Sequence, residues 1–356
     1  MTLKEIAELA GVSTSTVSRI INSSDDSFAR KSVRDRVWKI IHETGYVPNQ
    51  SARELKQGRR EEAVARCTTL ACILGRTRDL EDNPFFAQTA RAIEQQALEK
   101  GCTVSAYHSV FDLQQAPQGR SPNIPRADGA IVLGRLGTPT RALLERHYRN
   151  LVYVGRNVID SQWDQVVCDG YEAARTALLH LIGLGHKRIA YIGDTEDEIR
   201  YRAYTDTLLA HGLEADPALT ASVSQDGPGG YAGADLLLRA ASPLPTAAFC
   251  ATDITAIAAI KRFAEAGIRI PAQLSVIGID DIEVAQYVSP VLTTVSIPKV
   301  EMGRMAVRTL LDRINREHRL PMQIFLPHKL LIRESTAPPE STGTHASTIL
   351  LRGKRS

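Results

Sequence analysis

Cysteine is scarce in this chain and poorly spaced for structural use. Its five residues, Cys67, Cys72, Cys102, Cys168 and Cys250, are odd in number and irregular in spacing, with no CxxC pair and no histidine cluster beside them. That pattern argues against a disulfide framework and a zinc site, and the five read as buried thiols. Long hydrophobic runs are missing as well. No stretch approaches the roughly 18–20 apolar residues of a membrane helix. Met1, Thr2, Leu3, Lys4 and Glu5 begin no secretory hydrophobic region. A soluble cytoplasmic protein with no membrane partner is expected. Catalytic signatures are absent too: there is no nucleophile elbow, phosphate-binding loop or metal-ligand spacing, so no enzyme, metal or cofactor is expected.

What is present begins with size. At 356 residues the chain is too long for one small module and should hold two or three domains. Its net charge of +3 is unevenly placed: residues 1–60 carry 11 Lys and Arg against 7 Asp and Glu, and the remaining 296 carry 32 against 33. A basic small module joined to a near-neutral large one suits contact between the small module and a phosphate backbone.

In the first 22 residues, Leu3, Ile6, Ala7, Leu9 and Ala10 recur at helical spacing, stop at Gly11, and resume as Val12, Val17, Ile20 and Ile21. The reading is helix, tight turn, helix, with Ser13 capping the second helix and Gly11 ending the first. A third helix is predicted over 31–44, where Val33, Val37, Trp38, Ile40 and Ile41 form its apolar side and Gly45 stops it. Three such helices bury one another's stripes. Residues 49–56 then read as a short helix with almost nothing to bury, marginal on its own, and 57–66 as a charged linker.

From residue 68 the pattern changes. Apolar runs at 70–74, 130–133, 151–154, 189–192, 247–251 and 274–277 alternate with helical segments at 85–100, 171–184, 201–211, 232–240 and 254–266. Alternating βα units predict parallel sheets with helices on both faces, and about 265 residues suit two of them. Residues 112–126, rich in Pro and Gln, read as loop, and the polar stretch 337–356 as a disordered tail.

The run from Thr2 to Asn22 (TLKEIAELAGVSTSTVSRIIN) resembles the headpiece signature of the lactose and galactose repressor family. So does Gly45-Tyr46-Val47-Pro48-Asn49, followed by Ala52, Arg53 and Leu55. Further similarity runs through Asn83-Pro84-Phe85-Phe86, Asp128-Gly129-Ala130-Ile131 and Gly185-His186-Lys187-Arg188-Ile189-Ala190. It continues in Ala251-Thr252-Asp253, in the stretch from Ser275 to Asp281 (SVIGIDD), and in Leu292-Thr293-Thr294-Val295. The resemblance covers nearly the whole chain. It implies an α/β protein with a helix-turn-helix headpiece at 1–47, a hinge helix and linker at 48–67, and a two-lobed periplasmic-binding-protein-like core at 68–336. Lobe 1 would take about 68–168 and 298–322, lobe 2 about 169–297 and 323–336. Residues 112–126 and 134–140 look most like the β-galactosidase repressors of the family.

The function implied is a sequence-specific transcription repressor acting on carbohydrate genes. In such proteins the second helix enters the major groove with its N-terminal residues at base edges. Thr14, Ser15, Thr16, Ser18 and Arg19 are the base-reading candidates. Arg19 is the most discriminating of them, because Arg can bind guanine bidentately whereas Ser and Thr are ambiguous readers. Thr2, Leu3, Asn22, Tyr46, Asn49 and Ala52 match family positions at the DNA. Leu55, apolar on an otherwise polar short helix, matches a wedge pushed into the minor groove. The effector implied is a sugar, with β-galactosides the class the same resemblance points to, and it is expected between the lobes at the carboxyl ends of the strands. The residues carried over are Phe85, Phe86, Arg156, Arg200, Tyr204, Thr252, Asp253 and Asp280. Two departures stand out: Thr252 replaces a frequent Asn, and Gly155 replaces a sugar-binding Asp. A ligand preferring one lobe arrangement would change operator affinity by linkage.

A palindromic operator implies a homodimer, and no leucine heptads suggest a tetramerisation helix. Rival readings are an exported solute-binding protein, which lacks its signal region here, and an enzyme using Asp280, Asp281 and His186, for which the resemblance instead assigns Gly185-His186 to a helix-strand turn. A third is a repressor with a nucleobase or phosphorylated metabolite as corepressor.

Overall fold

Three helices open the protein: α1 (Leu3–Ala10), α2 (Thr14–Asn22) and α3 (Lys31–Thr44). The computed structural model describes residues 3–22, 29–44, 68–80, 83–114 and 124–340, so the predicted hinge helix and the wedge residue Leu55 lie outside the described residues. Gly11, at φ +65, turns α1 into α2, and Val12 N–H donates to the Ala7 carbonyl at 3.0 Å to close the turn. The Ser13 hydroxyl accepts from Thr16 N–H at 3.1 Å, the cap expected of it. Ile6, Ala7, Ala10, Val17, Ile20, Ile21, Val37 and Ile41 form the headpiece core. Leu9, expected among them, is exposed, because it falls outside the arc set by Ile6, Ala7 and Ala10.

The strands and helices that follow are, in chain order, β1 (Thr69–Leu74), α4 (Pro84–Glu99), β2 (Thr103–Ser109), α5 (Val110–Gln114), β3 (Gly129–Leu133), α6 (Thr138–His147), β4 (Leu151–Gly155), β5 (Asp164–Val167), α7 (Gly170–Gly183), β6 (Ile189–Gly193), α8 (Ile199–Ala210) and β7 (Thr220–Ser222). After these come α9 (Gly227–Ala240), β8 (Ala247–Cys250), α10 (Asp253–Glu265), β9 (Ser275–Asp280), β10 (Thr293–Ser296), α11 (Lys299–Ile314), β11 (Gln323–Phe325) and β12 (Lys329–Leu331). The chain divides into two units, residues 1–171 with 297–329 and residues 172–296 with 330–356. Each holds one six-stranded sheet, ordered β11-β5-β4-β3-β1-β2 in the first and β12-β10-β9-β8-β6-β7 in the second.

All neighbours in the first sheet run parallel. Its central strands β1, β3 and β4 are continuous apolar runs because both faces are covered. Ala71, Ile73, Ala130, Val132, Leu151 and Tyr153 pack with Leu144 of α6 on one face, while Gly129, on the other, lies against Leu310 of α11. In the second sheet Ala190, Ile192, Ala248, Cys250 and Val276 share a core with Ala234, Leu237, Ala256 and Phe263 of α9 and α10.

Four boundaries differ from the expectation. Helix α9 begins at Gly227 instead of 232: Asp226 caps it by accepting from Gly229 N–H at 2.7 Å. Gly230 lies so close to the Thr255 backbone that no Cβ fits. Residues before the predicted start therefore pack helix on helix. Helix α5 takes the start of the predicted 112–126 loop, and 115–123 lie outside the described residues. The last crossing between units falls after Lys329, not after 322. Strand β11 stays with β5, because the Asp164 carboxylate accepts from Met322 N–H at 2.7 Å and from Arg313 Nε at 2.7 Å. Residues 337–340 of the predicted disordered tail are ordered by contacts: Ala337 N–H donates to Ser275 Oγ at 3.0 Å and its carbonyl accepts from His186 Nε2 at 2.9 Å, while 341–356 lie outside the described residues.

Candidate functional site

Helix α2 turns Val17, Ile20 and Ile21 inward and leaves Thr14, Ser15 and Arg19 exposed on the opposite side. Thr16 is half-buried, its hydroxyl 2.8 Å from Ser13 Oγ within the cap. The headpiece thus presents the first turn of its second helix to solvent, the part that reads base edges in helix-turn-helix proteins. Of the other predicted DNA contacts, Leu3, Ser18 and Asn22 sit on α1 and α2. Thr2, Tyr46, Asn49, Ala52 and Leu55 lie outside the described residues.

Both core sheets have a topological switch point, where successive connections leave in opposite directions: between β1 and β3 in the first, between β6 and β8 in the second. Ligands of open α/β sheets bind at the carboxyl ends of strands there. In the second unit this edge gathers Glu198, Arg200, Gln225, Thr252 and Asp280. Arg200, on the first turn of α8, donates through Nε to Glu198 Oε1 at 2.8 Å, through Nη2 to Glu198 Oε2 at 2.9 Å and Gln225 Oε1 at 2.5 Å, and through Nη1 to the Ala251 carbonyl at 2.6 Å. Both members of the pair are buried. Burial pushes the Glu198 carboxyl up, but the charge and hydrogen bonds of Arg200 outweigh it and hold the group far below the usual carboxylate range. Asp280 ends β9 at φ +132, buried, with its charge acting on Arg200.

At the corresponding edge of the first unit, the Asn83 side chain caps α4 by accepting from Phe85 N–H at 3.1 Å, which sets Phe85 and Phe86 in the first turn. Their rings meet edge to face at 5.4 Å. The Arg156 guanidinium lies 4.3 Å from the Phe85 ring centroid, and Phe86 presses on Gly134. Gly155, where the resemblance expects Asp, leaves room that the Tyr153 hydroxyl fills: a Cβ at 155 would overlap it.

Two carried-over residues spend their polar groups inside the protein, and of these only Tyr204 lies away from the edges. Tyr204 is fully buried and its hydroxyl donates to the Ile189 carbonyl at 2.8 Å, at the start of β6 and so the far end from the carboxyl edge; its ring serves the core beside Tyr191. Asp253 is likewise fully buried. Its carboxylate accepts from Thr294 Oγ1 at 2.6 Å and Ile282 N–H at 3.0 Å, fastening β10 and the segment after β9 to α10. Thr252 caps α10 by accepting from Thr255 N–H at 3.3 Å. Sequence reasoning missed Glu198 and Gln225, which lie 2 and 25 residues from the arginine they hold. It also missed Arg76 and Arg135, which follow β1 and β3.

A helix-turn-helix headpiece joined to a core of two doubly wound parallel sheets defines a DNA-binding regulator built on a ligand-binding body. Residues 2–49 match the model of the bacterial regulatory proteins of the lacI family, and residues 178–336 match that of the periplasmic binding protein-like domain. The chain belongs to the lacI family of bacterial regulatory proteins. It is 33% identical over 329 residues to the HTH-type transcriptional repressor PurR of Aliivibrio fischeri, covering 88% of this chain and 91% of the relative. It is 32% identical over 342 residues to the HTH-type transcriptional regulator CelR of Thermobifida fusca, covering 94% and 98%. Among solved structures it resembles a CelR–cellobiose complex, with a TM-score of 0.66 at 31% identity over 94% of this chain and 99% of that one. It shares its fold with a lac repressor dimer bound to operator, with a TM-score of 0.65 at 22% identity over 95% and 99%.

Proposed function

We propose that this protein is a homodimeric transcriptional repressor that grips a palindromic operator with the exposed start of α2 and is released by a sugar. The observation that carries the reading is the exposed row Thr14, Ser15 and Arg19 on a capped second helix. The two switch-point edges of the core support the ligand half, and the CelR–cellobiose complex supports a sugar in that role. Arg19 reads a base, and Thr14 and Ser15 add contacts that tolerate more than one base. Leu55 is proposed as the minor-groove wedge on a hinge helix that forms with DNA.

Phe85, Phe86 and Arg156 in one unit and Arg200, Thr252 and Asp280 in the other are proposed as effector contacts. The Asp280 carboxylate accepts from sugar hydroxyls, and Phe85 offers a ring face. The effector lowers operator affinity by the difference between its affinities for the free and the DNA-bound conformations, of order 1–3 kcal/mol in allosteric proteins. Such a protein works in the cytoplasm on the nucleoid. No helix among the described residues is long and apolar enough to cross a membrane.

The test is a fluorescence-anisotropy titration of the full-length protein on a selected palindromic operator, repeated with cellobiose, galactosides, ribose and purine bases. Nanomolar, salt-dependent binding that weakens at least fivefold with one sugar is expected. Binding that tightens with a base identifies a corepressor instead, and absence of sequence-specific binding overturns the repressor reading.

A further inference from the structure

One interior strand of each sheet ends in the same pattern. In the first, Tyr153-Val154-Gly155 closes β4; in the second, Tyr191-Ile192-Gly193 closes β6. Residues two apart on a strand share a face and stand ~6.6 Å apart, a span that a tyrosine side chain covers. Both tyrosines lie along their strands toward the carboxyl end, over a residue with no side chain. A Cβ on Gly155 would overlap the Tyr153 hydroxyl and ring, and one on Gly193 would lie 2.9 Å from the Tyr191 hydroxyl. The rings are buried, Tyr153 in the core with Val132, Leu144 and Val167, and Tyr191 beside Tyr204 and Phe249. Apolar body and polar tip are thus divided, with the tip at the edge.

The two hydroxyls are used differently. Tyr191 donates its proton to the Asp194 carbonyl at 2.7 Å. Tyr148, in the same core as Tyr153, donates to the Pro125 carbonyl at 2.6 Å, and Tyr204 to the Ile189 carbonyl at 2.8 Å. The Tyr153 oxygen receives the Asn157 backbone N–H, and among the described residues its own proton has no acceptor. Burial pushes the phenol up to about 12, against the charges of Arg135, Arg76 and Arg156 and the Asn157 N–H, which pull it down. At neutral pH the proton therefore stays on the oxygen. The Arg156 guanidinium that acts on this hydroxyl also lies 4.3 Å from the Phe85 ring centroid, so donor and ring belong to one edge.

We propose that Tyr153 is a specificity-determining contact, its O–H donating to an acceptor oxygen of the effector at the carboxyl end of β4. The inference rests on the reading that effectors bind at the carboxyl edges of the core. A buried donor left without a partner is costly, so a ligand that completes the bond is preferred over one that only fills the space. The demand is opposite to that of Asp280 in the second unit, whose carboxylate only accepts. An effector that satisfies both turns a ring, bridging or hydroxyl oxygen to Tyr153 as acceptor and a hydroxyl to Asp280 as donor.

The experiment titrates the full-length protein calorimetrically with cellobiose, lactose, melibiose, glucose and ribose, beside Tyr153→Phe and Tyr148→Phe. Tyr153→Phe keeps the ring and removes the donor. For the sugar that binds the unaltered protein, affinity should fall about five- to tenfold in Tyr153→Phe, the worth of one neutral hydrogen bond. The sugar concentration that half-releases operator should rise by the same factor, with operator affinity in the absence of sugar unchanged. Tyr148→Phe, whose hydroxyl is spent on Pro125, should melt at a lower temperature and keep the sugar affinity. Equal affinity in Tyr153→Phe and the unaltered protein overturns the contact and leaves the effector reading standing. An equal loss in Tyr148→Phe also overturns it, because core packing and not the donor would then set the affinity. Binding by none of the five sugars refutes the sugar-effector reading, and the contact falls with it.

Discussion

Arg200 spends its donors within the protein: Glu198, Gln225 and the Ala251 carbonyl receive them at 2.5–2.9 Å. A ligand bound as proposed would therefore meet a guanidinium already oriented and neutralised, with the Asp280 carboxylate buried beside it. The pair is only 2% and 5% exposed, so its partners are not interchangeable with water. Removing one member of a buried pair strands the other, at a cost of about 3–5 kcal/mol. Glu198→Gln keeps the shape and removes the charge, and urea unfolding of the full-length variant should show a loss of that size. A loss under about 1 kcal/mol would mean that solvent reaches the guanidinium and screens it.

At the scale of single elements, helix α2 depends on the capping residue before it more than on its propensity, since Thr, Ser and Val fill most of it. Ser13→Ala removes the cap on Thr16 N–H and should cost the headpiece about 1 kcal/mol. With Trp163→Phe as background, Trp38 in α3 becomes the sole tryptophan, and its fluorescence in a denaturant series reads the headpiece alone. The elements legible in the sequence were those marked by apolar runs or stripes: the three headpiece helices, α4, α7, α8, α9, α10, β1, β3, β4, β6, β8 and β9. Among those missed, β5 and β10 carry buried polar groups whose partners lie far along the chain. In β5, Asp164 meets Arg313 and His318, 149 and 154 residues away. In β10, Thr294 meets Asp253 and Thr293 meets Ser335. Polarity read one residue at a time argues against burial, and the compensating partner appears only after folding. The site shows the same limit. Arg200, Asp280 and Phe85 came from resemblance, which also carried Tyr204 and Asp253, two residues that serve the core.

The whole molecule should show a pH dependence set by its buried histidines. His186 is buried, with Nδ1 2.9 Å from Thr246 Oγ1 and Nε2 2.9 Å from the Ala337 carbonyl, and His180 Nε2 is 3.0 Å from Thr336 Oγ1. Burial lowers the pKa of both. Below the ordinary histidine value of about 6.5 the unfolded chain takes up protons that the folded chain refuses, so stability falls as pH falls through that value and toward the lowered ones. The urea midpoint should therefore be lower at pH 5 than at pH 7.5, with the difference reduced in His186→Gln or His180→Gln. A difference unchanged in both variants would assign it to other groups. The division of the chain carries a last consequence, one of timing during synthesis. The first unit is begun early but closed late: Asp164 waits 149 residues for Arg313, roughly 7–30 s at the ~5–20 residues per second of a ribosome. The second unit takes five of its six strands from the unbroken stretch 172–296 and closes with β12, the last strand made. A nascent chain halted before Arg313 holds Asp164 without its counter-ion, so the first unit stays short of its full stability until synthesis has passed residue 329.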